Sequence, residues 1–325
     1  DGAKTFVKRG AGTLLLSRVT PADAQIRVEA GDVAFTPDYE PTAEPQPAAD
    51  PTLHFDASRA SEDIETFEDA DGKTRVAVWH DVRGRGRANA DGDVYTLRSV
   101  AGVTNATVVA APAGRTMVDL GPYAVLDADK NVVNDATGLS FFRNGVVEKA
   151  NSTTTKASDQ RHREGFLVYM KTDDRANALA SQDWTVTKMA SGAGDRFAHE
   201  NYSANRLIAG YWTYDGAWID PHNAKNTKDE IHVVAFRGTR PLAVNAFGLD
   251  RGDVAQAGGV RIGEVIYYGR TLTSQERRDT ELYLLRKWKG AAAHPQDACL
   301  AARSADVLYV SGATATQDVA PGETV

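Results

Sequence analysis

Two consecutive segments decide the fold of this chain: GVRIGEVIYY at residues 259–268 and TSQERRDTELYLLRKWKG at residues 273–290. The first is rich in apolar, β-branched and aromatic residues and lacks proline, which predicts a buried strand. Alternate side chains of a strand share one face, and here the alternate residues are Val260, Ile262, Glu264, Ile266 and Tyr268. We therefore expect one face of this strand to lie in a core.

Glu264 is the one charged residue in this apolar row. A buried carboxylate needs a partner, because an unpaired charge in an apolar environment is costly. Arg270 or another arginine is the expected partner. We expect a structural role, in which an ion pair fixes the last strand to the helix that follows it.

The region around these segments, residues 52–290, predicts an all-β fold. Its segments are mostly short and β-like, and Gly, Asn and Asp separate them. The predicted strands are Arg75–Trp79, Val94–Val100, Thr107–Ala111, Phe166–Lys171, Thr185–Met189, Glu230–Phe236 and Gly259–Tyr268. Asn144-Gly145 is a good hairpin turn signal. Many short strands without alternating helices favour a β-sandwich over a βαβ fold.

The second segment predicts one short helix at the C-terminal end of the sandwich. Thr273 and Glu276 form a capping-box pattern, and Gly290 supplies a stop signal. Thr280, Leu284 and Trp288 recur at helical spacing and predict one buried face. We expect the helix to lie across one end of the sandwich and to bury Trp288; Trp79 and Trp184 are also expected in the core.

Composition excludes several functional classes. Of 325 residues, 42% are hydrophobic and 25% charged, which is ordinary for a folded protein. The net charge of −7 argues against a nucleic-acid surface. No apolar run reaches the roughly 18 residues of a membrane span. The single cysteine, Cys299, excludes an internal disulfide and cysteine-cluster metal sites.

The ends of the chain differ from the main body. Residues 1–36 contain short alternating strands with glycine turns, and residues 37–51 form a Pro-rich linker. Residues 291–304 are expected to be a connector, and residues 305–325 to begin a further β-repeat. No starting Met or signal peptide is visible, which predicts a piece of a longer precursor or a processed chain.

Three motifs of the main body resemble a known family. They are LHFDAS at residues 53–58, Trp79-His80-Asp81 before the glycines at 84 and 86, and the 259–288 strand and helix. Together they resemble the concanavalin A-like, laminin-G-like jelly-roll domains of large bacterial surface proteins. The resemblance implies a concanavalin-like jelly-roll β-sandwich that is extracellular and often binds carbohydrate. Fold alone does not define function, since this fold carries lectins, enzymes and spacers.

The N-terminal segment carries a second resemblance. Its pattern FVKRGAGTLLLS, residues 6–17, resembles the autotransporter-associated strand repeats of bacterial surface proteins. Residues 305–325 resemble the first half of such a repeat, and the residues at the start of the chain resemble its second half. The two ends are therefore expected to be able to complete one another between molecules.

An aromatic cluster, YWTYDGAW at residues 211–218, is the best candidate for a binding site. Aromatic rings stack on the apolar faces of sugars, and Asp and Asn side chains bind the hydroxyls. If the segment is one strand, one set of rings is core and the other is exposed. The predicted ligand-binding residues are Tyr211, Trp212, Tyr214, Asp215, Trp218 and Asn223.

The sequence predicts a calcium site at Asp127, Asp129 and Asn131, whose alternate oxygen ligands have the spacing that begins a calcium loop. The later Gly and closing Glu of an EF-hand are missing, and a solvated turn is the alternative interpretation. Calcium is common in the fold that the resemblance implies.

Enzymatic function is less favoured. Glycosidases that share this fold carry a Glu-x-Asp-x-Glu strand, which places carboxylates on one face for glycoside hydrolysis. No such run occurs here. The sequence therefore predicts a non-catalytic extracellular module that binds glycans or mediates adhesion, with no nucleic acid as a partner. The rival prediction is a structural spacer of a surface fibre, joined end to end by strand complementation; a glycoside hydrolase is the third.

Overall fold

The structure, a computed structural model, describes residues 44–99, 104–147, 161–174, 211–219, 221, 224–242, 246–249, 257–292 and 294–295, and the backbone of four strands within residues 1–36. The predicted strand Thr185–Met189, Trp184, Cys299 and the segment 305–325 lie outside this range.

The described chain is all-β, with mostly antiparallel strands. The strands are β1 (Lys4–Lys8), β2 (Thr13–Ser17), β3 (Ala24–Val28), β4 (Asp32–Thr36), β5 (Leu53–Asp56), β6 (Ile64–Glu68), β7 (Thr74–His80), β8 (Tyr95–Ser99), β9 (Thr107–Ala111), β10 (Arg115–Asp119), β11 (Leu139–Arg143), β12 (Val146–Val147), β13 (His162–Lys171), β14 (Tyr211–Tyr214), β15 (Ala217–Trp218), β16 (Ile231–Leu242), β17 (Ala246–Phe247) and β18 (Val260–Tyr268). The helices are α1 (Ala60–Asp63) and α2 (Ser274–Lys289), with 3₁₀ turns at Ala57–Arg59 and Pro112–Gly114.

Fourteen strands of the main body form one hydrogen-bonded network. Its order is β12-β11-β8-β7-β9-β10-β18-β13-β16-β14-β15, with β17, β5 and β6 paired to β11, β18 and β7. β11 and β12 are joined at Asn144 and Gly145, which have φ of 51° and 79°. The predicted hairpin turn is therefore confirmed, and its positive φ values explain the choice of residues.

The network folds over a sandwich-like inner core. Strands β5, β18, β13, β16 and β14, which are hydrogen-bonded neighbours, supply one wall, and β7, β8, β11 and β17 supply the other. The aromatic side chains of the inner core are Phe55, Trp79, Tyr95, Phe141, Tyr169, Trp212, Phe236, Phe247 and Tyr267. Trp79 is completely buried, as expected.

A second apolar cluster, the outer core, lies on the opposite face of the central strands. It joins β13, β16 and β18 to α2 through Phe166, Val168, Val233, Ile266, Leu284 and Trp288. Helix α2 therefore covers a face of the sheet, and the prediction that it lies across one end is wrong. The central strands are apolar at consecutive positions because both of their faces are buried.

Helix α2 begins and ends as its sequence predicts. The Thr273 side chain accepts from the Glu276 N–H, and the Glu276 carboxylate accepts from the Thr273 N–H, which closes the capping box. Gly290 ends the helix in the left-handed region with a φ of 67°. Thr280, Leu284 and Trp288 are all buried.

Strand β18 does not keep one alternation along its length. Val168 pairs with Glu264 but Tyr169 pairs with Ile262, so Gly263 is an extra residue, a β-bulge. Val260 and Ile262 consequently lie in the inner core, whereas Ile266 belongs to the outer core. The predicted single row is therefore wrong, because a bulge shifts every later side chain to the other face.

Glu264 is completely buried, and its partners are not arginines. Its carboxylate accepts from Lys287 Nζ at 2.7 Å and Trp288 Nε1 at 2.8 Å, and lies 2.7 Å from His54 Nε2. Lys287 also contacts Asp56 Oδ2 at 2.5 Å. Arg270, the predicted partner, instead pairs with Glu276. The predicted role is confirmed: an ion pair joins the last strand to the helix.

The end of the predicted linker is docked onto this layer. The Ala48 N–H donates to Thr280 Oγ1 at 2.9 Å, and the Ala48 carbonyl accepts from the Tyr268 hydroxyl at 3.0 Å. Residues 44–51 therefore contact α2 and β18, whereas residues 37–43 lie outside the described range.

We expect Glu264→Gln to lower the free energy of unfolding by about 3 kcal/mol. The substitution leaves the largely buried Lys287 with Asp56 as its one remaining carboxylate partner. Glu62→Gln is the matched control, since it breaks an exposed pair with Arg59 and is expected to cost less than about 1 kcal/mol. Equal losses in the two variants, measured by urea denaturation, would contradict the central role of Glu264.

The same carboxylate makes stability depend on pH. Burial alone would raise the Glu264 pKa, but hydrogen bonding from His54 and the electrostatic attraction of His54 and Lys287 hold it below its ordinary 4.5. The unfolded state therefore binds the proton first, so this contribution is complete above pH 4.5 and declines as pH falls below it. We expect the stability difference between wild type and Glu264→Gln to shrink over that range. A difference independent of pH, measured by denaturant titration at several pH values, would contradict this.

Candidate functional site

The aromatic segment 211–218 is a hairpin. Strand β14 pairs with β15, and Asp215 and Gly216 form the turn between them, with φ of 50° and 80°. Asp-Gly is a preferred pair for such a turn, because both central residues need a positive φ. The interpretation of 211–218 as one continuous strand is therefore wrong, and Asp215 does not share a face with Thr213.

This hairpin forms one end of the strand network, because β14 pairs with β16 and β15 is the last strand in the order. At Gly216, an added Cβ would lie 2.6 Å from Pro295 Cδ and 3.1 Å from Leu285 Cδ1. The turn is thus packed closely against α2 and the residues that follow it.

Both faces of β14 are covered. Trp212 is 1% exposed and stacks on Phe236 in the inner core, with ring centroids 5.2 Å apart. Thr213, on the other face, is buried and hydrogen-bonds the Glu281 carboxylate of α2. Trp212 is therefore a core residue, and its ring cannot stack on a sugar in this structure.

Trp218 has the opposite environment. It lies on β15 with 37% of its surface exposed, and among the tryptophans that the structure describes it is the only exposed one. Asn223 and the side chain of Tyr211 lie outside the described residues. Of the predicted ligand-binding residues, Trp218, Tyr214 and Asp215 thus remain at or near the surface.

A polar chain, which we call the relay, connects the hairpin turn to β16 and to the segment before it. The relay consists of Asp215, His232 and Thr227. His232 Nδ1 lies 2.9 Å from Asp215 Oδ2, and His232 Nε2 lies 2.8 Å from Thr227 Oγ1. The His232 side chain is 2% exposed, whereas Thr227 is exposed.

The relay imidazole is held on several sides. Tyr214 stacks on the His232 ring at 4.4 Å and 28°, and the ring of Tyr169 lies 5.9 Å away. The Tyr214 hydroxyl lies 3.3 Å from Thr227 Oγ1. Burial raises the pKa of Tyr214 to about 12, so the phenol is neutral at physiological pH.

The relay carboxylate is ionised. Burial alone would raise the Asp215 pKa, but hydrogen bonds from His232, the Val233 N–H and Lys289 outweigh it and hold the pKa below its ordinary value. Val233 N donates to Oδ1 at 2.8 Å, and Lys289 Nζ lies 2.9 Å from Oδ2. A fixed carboxylate beside a histidine orients the ring and determines its tautomer.

Sequence reasoning found Asp215 but missed His232, Thr227 and Lys289. The Asp215-Gly216 pair is a hairpin signal that would have predicted the turn. Nothing in the local pattern joins His232 to Asp215, because strand pairing between β14 and β16 brings them together. Lys289 reaches Asp215 because α2 packs against the sheet, and no local sequence pattern predicts that contact.

The predicted calcium residues form a tight turn. Asp127 Oδ1 accepts the backbone N–H groups of Asp129 at 2.9 Å and Asn131 at 2.8 Å, and Oδ2 accepts from Asn131 Nδ2 at 3.2 Å. These bonds, led by that from the Asn131 N–H, lower the Asp127 pKa. The alternate spacing is therefore explained by an Asx-type turn, and calcium binding here stays a prediction.

Two further findings concern the part of the chain that the structure describes. No group of three or more His, Cys, Asp or Glu side chains there is arranged to hold a metal ion. No described helix has the length and apolar character needed to cross a membrane.

A comparison of the chain with protein-family models, with curated proteins and with solved structures gives no match.

Proposed function

We propose that the main body is a concanavalin-like jelly-roll domain that binds glycans at the surface of a bacterial cell. The all-β, sandwich-like architecture supports the fold, and the motif resemblances of residues 53–58 and 259–288 support the family and the extracellular location. The single observation that carries glycan binding is the exposed indole of Trp218 on the edge hairpin.

The surroundings of Trp218 suit a sugar. An exposed indole offers a flat apolar face for sugar C–H groups, and binding sites add a few polar groups that fix the orientation. The adjacent turn supplies the Asp215 carboxylate. The ligand class that fits is a neutral or acetylated saccharide with several hydroxyl groups.

A glycan-array screen of the full chain, followed by titration calorimetry, tests this proposal. We expect Trp218→Ala to weaken binding at least about tenfold, because it removes the stacking surface. Phe67→Ala is the matched control, since Phe67 is a 44% exposed aromatic residue on β6, and it is expected to bind as wild type does. Trp212→Ala is unsuitable, because truncating a core tryptophan costs about 3–5 kcal/mol of stability.

Two results would contradict glycan binding at this site. One is unchanged affinity in Trp218→Ala. The other is the absence of binding to any glycan by a folded chain, with and without calcium. The second result would favour the structural alternative.

The alternative, a spacer in a surface fibre, rests on the pairing of the N-terminal strands. β1 pairs in parallel with β3, with Lys4 opposite Ala24, and β2 pairs in parallel with β4, with Thr13 opposite Asp32. Among the described strands each pair has no third member, so its outer edges are unpaired. Unpaired edges are templates for strands of another molecule.

Light scattering over a concentration series tests the spacer function. We expect Val33→Pro in β4 to weaken self-association at least about tenfold, because proline removes a ladder donor and disrupts the edge. Ala43→Pro, in the segment already rich in proline, is the matched control. A chain that stays monomeric up to its solubility limit would contradict end-to-end assembly.

A further inference from the structure

The relay has a chemical property that glycan binding does not use. An exposed hydroxyl, a buried imidazole and an ionised carboxylate follow one another at hydrogen-bond distances of 2.8 and 2.9 Å. This is the order of groups in which a side-chain hydroxyl becomes a nucleophile. The three residues come from the β14–β15 turn, the segment before β16, and β16 itself.

We propose that Thr227 is an activated nucleophile that accepts the acyl group of a carboxylic ester, with His232 as its general base. This activity goes beyond the non-catalytic module that the sequence predicts. It does not depend on glycan binding, so either proposal can fail while the other stands.

The direction of each hydrogen bond follows from the chemistry of Asp215. An ionised carboxylate only accepts, so the proton on His232 lies on Nδ1 and points to Asp215 Oδ2. In the neutral ring, Nε2 then carries the lone pair and can accept the proton of Thr227 Oγ1. The Tyr214 hydroxyl lies 3.3 Å from Oγ1. The Thr227 hydroxyl therefore has its proton aimed at a base, on a residue that is exposed to solvent.

The reaction balances without any further reagent. Thr227 Oγ1 forms a bond to the carbonyl carbon of the ester, and its proton moves to His232 Nε2. The bond between that carbon and the leaving oxygen breaks, and the leaving alcohol takes the proton from Nε2. The products are an acyl ester on Thr227 and a free alcohol; water then repeats the sequence with the same imidazole and releases the carboxylic acid.

A buried amide, that of Asn226, precedes Thr227 in the chain. Asn226 is buried, and its Oδ1 accepts from the Tyr169 hydroxyl at 2.7 Å, which orients the amide. Its Nδ2 has no hydrogen-bond partner within the residues that the structure describes. A buried N–H without an acceptor is unusual.

The test uses p-nitrophenyl acetate, an activated ester, with the full chain. We expect release of p-nitrophenolate in a burst that approaches one equivalent, and tryptic mass mapping is expected to place an acetyl group on the peptide that contains Thr227. Thr227→Val, which keeps the shape of the side chain without the hydroxyl, is expected to abolish this label. Thr227→Ser is the conservative control and is expected to retain acylation within about tenfold.

Asp215→Asn tests the positioning residue. Asparagine tolerates the positive φ of this turn, so the fold is expected to remain, as checked by thermal melting. We expect the acylation rate at saturating ester to fall by roughly a thousandfold, with little change in the ester concentration for half-saturation. A purely structural role for Asp215 would not lower the acylation rate while leaving the half-saturating ester concentration unchanged.

The labelling of wild type and of the two Thr227 variants decides the main claim. If no acetyl group is found on Thr227, or if Thr227→Val is labelled as fast as wild type, the proposal is overturned. Labelling confined to lysine side chains also overturns it, because such labelling reports only the general reactivity of exposed amines. Labelling of Thr227 that disappears in Thr227→Val and returns in Thr227→Ser supports the proposal.

Discussion

The buried carboxylate of Glu264 is the interaction on which the rest of the structure depends. It lies on the strand at the middle of the network and contacts His54 of β5 and Lys287 and Trp288 of α2. Asp56 shares Lys287, so two carboxylates and one ammonium group hold two strands and the helix together. Such a cluster is stable only while all of its members are present, because each one would otherwise be an uncompensated buried charge.

The helix held in this way is what completes the candidate site. Glu281 of α2 bonds Thr213 on the hairpin, and Lys289 contacts the Asp215 carboxylate from the last turn of the helix. Gly263 makes the close approach possible, since an added Cβ would lie 2.9 Å from Trp288 Cη2. Structural and functional features are thus coupled: the bulge and the ion cluster place the helix, and the helix supports the carboxylate of the relay.

The sequence predicted most of the elements, because their signals are local. The capping box of Thr273 and Glu276, the stop at Gly290 and the turn at Asn144-Gly145 each depend on a few neighbouring residues. The wrong predictions arose where the alternation of side chains along a strand was assumed to continue through a bulge or a turn. The bulge at Gly263 separates Val260 from Ile266, and the turn at Asp215 divides a segment whose residues predict one strand.

By itself the sequence determined that the chain is all-β, that a capped helix follows the last strand, and that Glu264 would need a buried partner. Only the tertiary structure decided which partner that is, which tryptophan is exposed, and that His232 joins Asp215 to Thr227. The physical reason is the range of the interactions. Capping and turn formation act within a few residues, whereas the pairing of β14 with β16 and the packing of α2 on the sheet join positions that no sequence spacing relates.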